Sequence, residues 1–456
     1  MYTRTIPTLI NPKRLSQDID ATDSVNSLLY PVRSPFETDG DKIVFSEGYR
    51  ALADKTQVHD RTGATGVFRN RLTHSMEVSR VGRSLGIGVG AKMLNILSLN
   101  TPARGDAYWK VQPEDLGHIV SAACMAHDIG NPPFGHQGED AISDFFQTNN
   151  VGVEACARVD KTIARELRNH EGNAQGFRMI TNSMGWRNGV GLNLTVATLA
   201  AFGKYPYAIR NSKKYGVHNA DMHIMRKVAE HTGMHSDGKG GWIRHPLAWL
   251  MEAADDICYL TVDLEDAAQV GIISFDDVLY HFRLVLSSEH IDQARQMSDH
   301  SQALKYLRSQ VVKSLISACV DVYPEIAQSV EAGTLDKTNG GGLVGHGRHG
   351  EAMAQIRSFS QEKIYRSPQL KENREGYTKQ LHVAMSRLTQ DLLNWLDTRR
   401  EDEVLVRSDK EAGTLSKLAC AVIGASVPGH PDQAFPWLLD QVTLMSDADI
   451  LELAEL

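Results

Sequence analysis

The chain has 456 residues, of which 42% are hydrophobic and 23% charged, with a formal net charge of −8. Those proportions are ordinary for a globular protein and exclude a disordered or fibrous chain, and the length gives ample material for a sizeable core. The acidic balance argues against a globally basic nucleic-acid binder, while leaving room for a local cationic pocket around a polyanionic ligand.

The amino terminus, Met1 to Pro12, lacks the apolar core of a signal peptide, and no run approaches the ~18 apolar residues of a membrane span. A cytoplasmic protein without membrane contact is the expectation. The five cysteines, Cys124, Cys156, Cys258, Cys319 and Cys420, are widely spaced and never form a Cys-x-x-Cys pair. This fits buried thiols in a reducing compartment rather than a thiolate zinc site.

Apolar residues recur at helical spacing: Ile119, Ala122, Ala123 and Ala126 lead into His127, and Leu304, Leu307, Val311, Leu315 and Cys319 form a later stripe. Strand-like alternation is rare, so an all-α architecture is predicted. Breaks fall at Ser34-Pro35-Phe36, Gly130 through Gly138, Ser236 through Gly241, and Asn339 to Gly350. The last, with His346, Arg348 and His349, reads as a flexible surface connection or a mobile lid over a phosphate site. From about residue 352 onward the chain again reads as helices, with Leu388, Leu392, Trp395 and Leu396 on one stripe.

Three words in this chain carry metal chemistry. His74 stands in Arg71-Leu-Thr-His74-Ser, the pair His127-Asp128 opens His-Asp-Ile-Gly-Asn-Pro-Pro-Phe-Gly-His, and Asp255 stands in Glu-Ala-Ala-Asp255-Asp-Ile-Cys-Tyr. A divalent cation that activates water at phosphorus needs imidazole and carboxylate ligands with an open position, and two His and two Asp supply them. His127 and Asp128 point about 100° apart on a helix, so a shared ion requires a helix end there, which Gly130, Pro132 and Pro133 predict. A second helix is predicted after His245-Pro246, where Asp255 lies on the apolar stripe Met251, Cys258, Val262. An unpaired carboxylate buried on that stripe costs several kcal/mol, which a cation offsets. Asp256 falls on the more polar side with Glu252 and is not chosen as a ligand.

The pattern His … His-Asp … Asp resembles that of HD-domain phosphohydrolases, and the surrounding words resemble their deoxyguanosine triphosphate triphosphohydrolase branch. These words include Ser34-Pro35-Phe36-Glu37, Lys55-Thr56-Gln57-Val58, Arg69 to Ser75, Glu171-Gly172-Asn173-Ala174-Gln175, Gly203-Lys204-Tyr205-Pro206 and Arg244-His245-Pro246. The resemblance covers most of residues 30–270 and becomes patchier afterwards. It implies an amino-terminal segment 1–60 contributing to the active site, an HD-domain catalytic core 61–275 and a helical carboxy-terminal region 276–456. It implies that His74, His127, Asp128 and Asp255 bind one manganese or magnesium ion.

By the same resemblance His136 is the proton-transfer histidine beside the α-phosphate and Glu139 orients it. Arg71 and Lys204 contact phosphate, Tyr259 packs where a ribose 2′-hydroxyl would collide, and Asp263 and Gln57 read the 3′-hydroxyl. Lys213 and Lys214 are further candidate cations. Two departures stand out: Tyr49-Arg50-Ala51-Leu52 lacks the double arginine often found there, and Asn131 replaces the histidine of the commoner His-Asp-x-Gly-His form. The implied activity is cleavage of a dNTP, dGTP first, to deoxynucleoside and tripolyphosphate. Alternatives are an HD phosphohydrolase for another nucleotide or phosphate ester, and a regulator that binds dNTP or single-stranded nucleic acid without turnover. A homo-oligomer, tetramer or hexamer, is the expectation, with single-stranded nucleic acid a possible partner.

Overall fold

The computed structural model describes residues 9–15, 33–56, 69–97, 100–102, 108–184, 191–210, 213–331, 342–366, 368–398 and 427–455. The architecture is all-α. The first helix, α1 (Pro35–Val44), starts where Ser34 Oγ accepts the Phe36 amide and a proline occupies the first turn. A short helix α2 (Glu47–Arg50) and a 3₁₀ turn (Ala51–Asp54) follow. Then comes the long helix α3 (Arg71–Leu97), which carries His74. Among the described residues the β-structure is a small antiparallel ribbon, β1 (Asn100–Pro102) against β2 (Tyr108–Lys110). Its three-residue strands are too short for alternation in the sequence to reveal them.

Helix α4 (Pro113–Ala126) runs into His127 and packs along α3. Gly82, Gly86 and Gly90 repeat every fourth residue on the facing side of α3. A Cβ on Gly86 would stand 2.5 Å from the Leu116 carbonyl oxygen, and one on Gly90 would stand 2.7 Å from Pro113 Cα. The bare backbone thus allows α3 and α4 to close on one another.

The turn after α4 leads into α5 (His136–Thr148), α6 (Asn150–Ala157), α7 (Lys161–Leu167) and α8 (Gly172–Arg178). After α9 (Val196–Phe202) and α10 (Met222–Thr232) comes α11 (Pro246–Gln269), capped by His245, whose Nδ1 accepts the Leu247 amide. Then come α12 (Phe275–Phe282), α13 (Ser288–Gln296), α14 (His300–Glu331), α15 (Gly342–His346), α16 (Gly350–Lys363), α17 (Pro368–Thr398), α18 (Pro431–Leu444) and α19 (Asp447–Glu455).

Two apolar cores hold these helices. The larger gathers α1, α3, α4, α9, α11 and α14, with Leu85, Ile119, Ile257 and Leu307 fully buried. The second joins Ile142, Phe145 and Phe146 of α5 to Leu381, Leu388 and Leu392 of α17 and to Phe435 and Leu438 of α18. Each such side chain removed from water contributes about 1.5–3 kcal/mol. Helices α3 and α11, which carry His74 and Asp255, and α4, which leads into His127, therefore share one core, whereas the helix of His136 belongs to the other.

Cys124, Cys156, Cys258 and Cys319 are buried free thiols, and Cys420 lies outside the described residues. The described part of the glycine-rich stretch, from Gly342, is helical and anchored, with Leu343 and Val344 buried. His349 Nε2 lies 2.9 Å from Ser314 Oγ, and Arg348 is 3.1 Å from Asp321. Residues 339–341 lie outside the described ones.

Candidate metal centre and phosphate site

Helix α4 ends at Ala126, so His127 and Asp128 sit on its C-terminal turn rather than inside it. His127 Nδ1 lies 2.7 Å from the Cys124 carbonyl oxygen. A carbonyl only accepts, so Nδ1 donates there and Nε2 is the ring nitrogen left to face the cluster. That Nε2 faces Asp255 Oδ1 at 3.6 Å and Asp128 Oδ1 at 3.5 Å, while His74 Nε2 lies 3.1 Å from Asp255 Oδ1. One donor atom each from His74, His127 and Asp255 falls within 4.8 Å of the others.

Asp128 adjoins this trio and is held on two sides. Arg71 Nη1 donates to its Oδ2 at 3.0 Å, and Asn131 Nδ2 donates to its Oδ1 at 2.5 Å. Burial works to raise the pKa of both aspartates, yet neighbouring charges outweigh it. His127, His74 and Lys204 hold Asp255 well below the usual carboxylate range, and His127 and Arg71 lower Asp128. Two imidazoles and the Asp255 carboxylate converging on one point, with the Asp128 carboxylate adjoining them, form a donor set suited to manganese or magnesium.

His136 opens α5 with its ring 76% exposed, and its Nδ1 lies 3.1 Å from the buried Glu139 Oε2. Glu139 Oε1 accepts the Gly172 amide at 3.2 Å, which fixes the carboxylate from behind. The hydrogen bond and charge of Glu139 raise the His136 pKa. Burial works to raise Glu139, but the His136 contact prevails and lowers it. Arg71 links the two halves of the site, since a Cβ on Gly135 would stand 1.9 Å from Arg71 Nη2.

Lys204 Nζ lies 3.2 Å from Glu252 Oε1, one turn before Asp255, and Arg244 Nη1 donates to the other Glu252 oxygen. Burial works to lower the Lys204 pKa, but Glu252 outweighs it and the group is raised, so the ammonium persists. Lys214 Nζ lies 3.2 Å from Glu171, and Lys213 is exposed. Gln57 lies outside the described residues.

Tyr259 and Asp263 occupy the next two turns of α11, where the Tyr365 ring stacks on Tyr259 at 5.1 Å and its hydroxyl donates to Asp263 Oδ2. Burial pushes Asp263 up to about 7, against the Tyr365 hydrogen bond. Arg357 Nη2, on α16, donates to Asp256 at 3.0 Å. Neither Tyr365, just past the end of α16, nor Arg357 carries a local word that marks it. Their place follows only from the packing of α16 on α11.

The HD domain family matches residues 71–192, from Arg71 through Glu139 and beyond but short of Asp255. A deoxyguanosinetriphosphate triphosphohydrolase-like protein of Pseudomonas aeruginosa is 35% identical over 371 residues, covering 78% of this chain and 79% of its own. The chain belongs to this deoxyguanosinetriphosphate triphosphohydrolase-like HD family. A Synechocystis protein of the same description is 36% identical over 356 residues, with 74% and 76% coverage. A deoxyguanosinetriphosphate triphosphohydrolase of Enterobacter is 33% identical over 280 residues, covering 54% of this chain and 52% of its own. HD-family membership makes the protein a metal-dependent phosphohydrolase, and the His/Asp cluster is where such a metal fits. Among the described residues no helix is long and apolar enough to cross a membrane.

Proposed function

We propose that the protein hydrolyses deoxynucleoside triphosphates, dGTP preferred, to deoxynucleoside and tripolyphosphate. The observation that carries this reading is the meeting, through Arg71, of the His74–His127–Asp255 cluster and the adjoining Asp128 with the His136–Glu139 pair.

Bound by His74, His127, Asp128 and Asp255, a manganese or magnesium ion supplies charge neutralisation at phosphate and a more acidic water. The protein's own groups do the rest. Lys204, kept cationic by Glu252, and Arg71 add positive charge, as phosphoryl transfer needs positioning and neutralisation above all. Water adds to the α-phosphorus, the bond from phosphorus to the 5′-oxygen breaks, and tripolyphosphate leaves whole. The departing 5′-oxygen takes a proton from His136, whose imidazolium Glu139 favours. Tyr259 closes the space where a 2′-hydroxyl would stand, and Asp263 with Gln57 reads the 3′-hydroxyl. By resemblance the chain assembles as a tetramer or hexamer, which light scattering of the purified protein measures.

Phosphorus NMR of reactions with manganese and each of the four dNTPs, quenched with chelator, tests the reading, with GTP as ribose control. Tripolyphosphate from dGTP with little from GTP is expected. Pyrophosphate or orthophosphate would overturn the point of attack, and turnover of other phosphate esters alone would favour a different substrate.

A further inference from the structure

The turn that delivers His136 is held from the far end of the chain. Phe134 and Gly135 both take left-handed backbone, with φ of +62° and +58°. A phenylalanine keeps that conformation only where its surroundings enforce it. The Phe134 amide donates to Asp447 Oδ1 at 2.8 Å, and the Thr56 amide donates to Asp447 Oδ2 at 2.9 Å. Both carboxylate oxygens are therefore spent on two amides more than 300 residues away in the chain.

Asp447 is the first residue of α19, where an acidic side chain ordinarily serves its own helix. Here that task falls to others. The Ser446 amide donates to Asp449 Oδ2 at 2.8 Å and the Asp449 amide donates to Ser446 Oγ at 3.0 Å, forming a reciprocal cap.

The neighbouring contacts point the same way. Buried Lys55 donates from Nζ to the Asn131 carbonyl at 2.8 Å and to the Thr443 carbonyl. Asp440 Oδ1 accepts from Gln175 Nε2 at 2.7 Å and from Arg178 Nε at 3.0 Å. The Phe134 ring stacks on Tyr377 of α17 at 4.4 Å. The end of α18 and the start of α19 thus grip segment 55–56, the 131–134 turn and α8 together.

We infer that Asp447 is a positioning residue of the reaction: by locking the Phe134–Gly135 turn it sets His136 against Glu139 and toward the phosphate. The inference rests on the reading of His136 as proton carrier. It adds to the site a residue of α19 that acts through the turn, by way of the Phe134 and Thr56 amides.

The test compares Asp447→Asn with Asp449→Asn in the full chain, by hydrogen exchange of the peptide spanning residues 130–140 and by steady-state hydrolysis of dNTP. Asparagine keeps the shape of Asp447 but turns a donor toward one of the two amides. Faster exchange in that peptide is expected, with kcat about tenfold to a hundredfold lower and KM nearly unchanged, the loss that a small misplacement of a reacting group brings. Asp449→Asn, which loosens only the cap, should leave kcat in place. In a His136→Ala background Asp447→Asn should slow turnover no further.

Unchanged exchange, a further fall in the His136→Ala background, or an equal kcat loss in Asp449→Asn would each overturn the inference alone. A wild type that cleaves no nucleotide would overturn the parent reading, and the inference with it.

Discussion

Replacing Glu139 by glutamine keeps the shape of the side chain and inverts what it offers His136. In the native site Oε2 accepts from the imidazole Nδ1 at 3.1 Å, while Oε1 accepts the Gly172 amide. In Glu139→Gln the new amide can keep its carbonyl oxygen on the Gly172 N–H, which turns its NH₂ toward Nδ1. The imidazole then accepts there and carries its proton on Nε2 as a neutral ring. A charge-assisted hydrogen bond contributes about 1.5–3 kcal/mol. Because the ring is largely exposed, solvent screening places the loss at the lower end. Glu139 raises the His136 pKa, so the imidazolium persists to higher pH in the wild type, and the variant loses that extension. The alkaline limb of kcat should therefore move to lower pH, and kcat above that limb should fall about tenfold. The assay is tripolyphosphate release across pH 6 to 9 with metal in excess. A variant with the wild-type pH profile and rate would refute the assignment of His136 and Glu139 as a proton-transfer pair.

Three further expectations concern the rest of the site. His127→Ala and Asp128→Ala should each lower metal affinity and turnover by more than about a hundredfold, exceeding the loss typical of outer partners, while circular dichroism stays unchanged; near-normal activity in either would remove it from the ligand set. Asp263 has its folded pKa pushed up to about 7, above the unfolded value near 3.9, so its contribution is most favourable at low pH and is lost as pH rises from about 4 to 7. Asp263→Asn should flatten that decline in Tm, and parallel curves for the two proteins would count against a buried, protonatable Asp263. Gly135→Ala adds a Cβ at positive φ and pushes it onto Arg71 Nη2, so a stability loss of about 1–2 kcal/mol should accompany release of Arg71 from Asp128 and a lower kcat; denaturant melts alongside kinetics measure both.

The convergence of His74, His127 and Asp255 was legible because each carries its own neighbourhood. Pro132 and Pro133 end α4 where His127 and Asp128 need a helix end, and His245-Pro246 starts α11 in the register that brings Asp255 to the inner face. Asp256 and Glu252 were also separable from Asp255 by helical spacing alone, and they meet Arg357, Lys204 and Arg244 instead. Tyr365 and Asp447 were not legible. Each reaches the site through a packed helix more than 100 residues from its partner, and neither sits in a distinctive word. The glycine row on α3 shows the same limit, since three glycines read as weak helix formers until α4 lies against them.

The helix of His136 stands on the second core, while His74 and Asp255 stand on helices of the first. If mild heat or denaturant loosens the α5–α17–α18 group first, the proposed ion site would outlast the proposed proton carrier. Occupancy and turnover would then part company along a melting curve, and ligand protection would report the health of only half the machine.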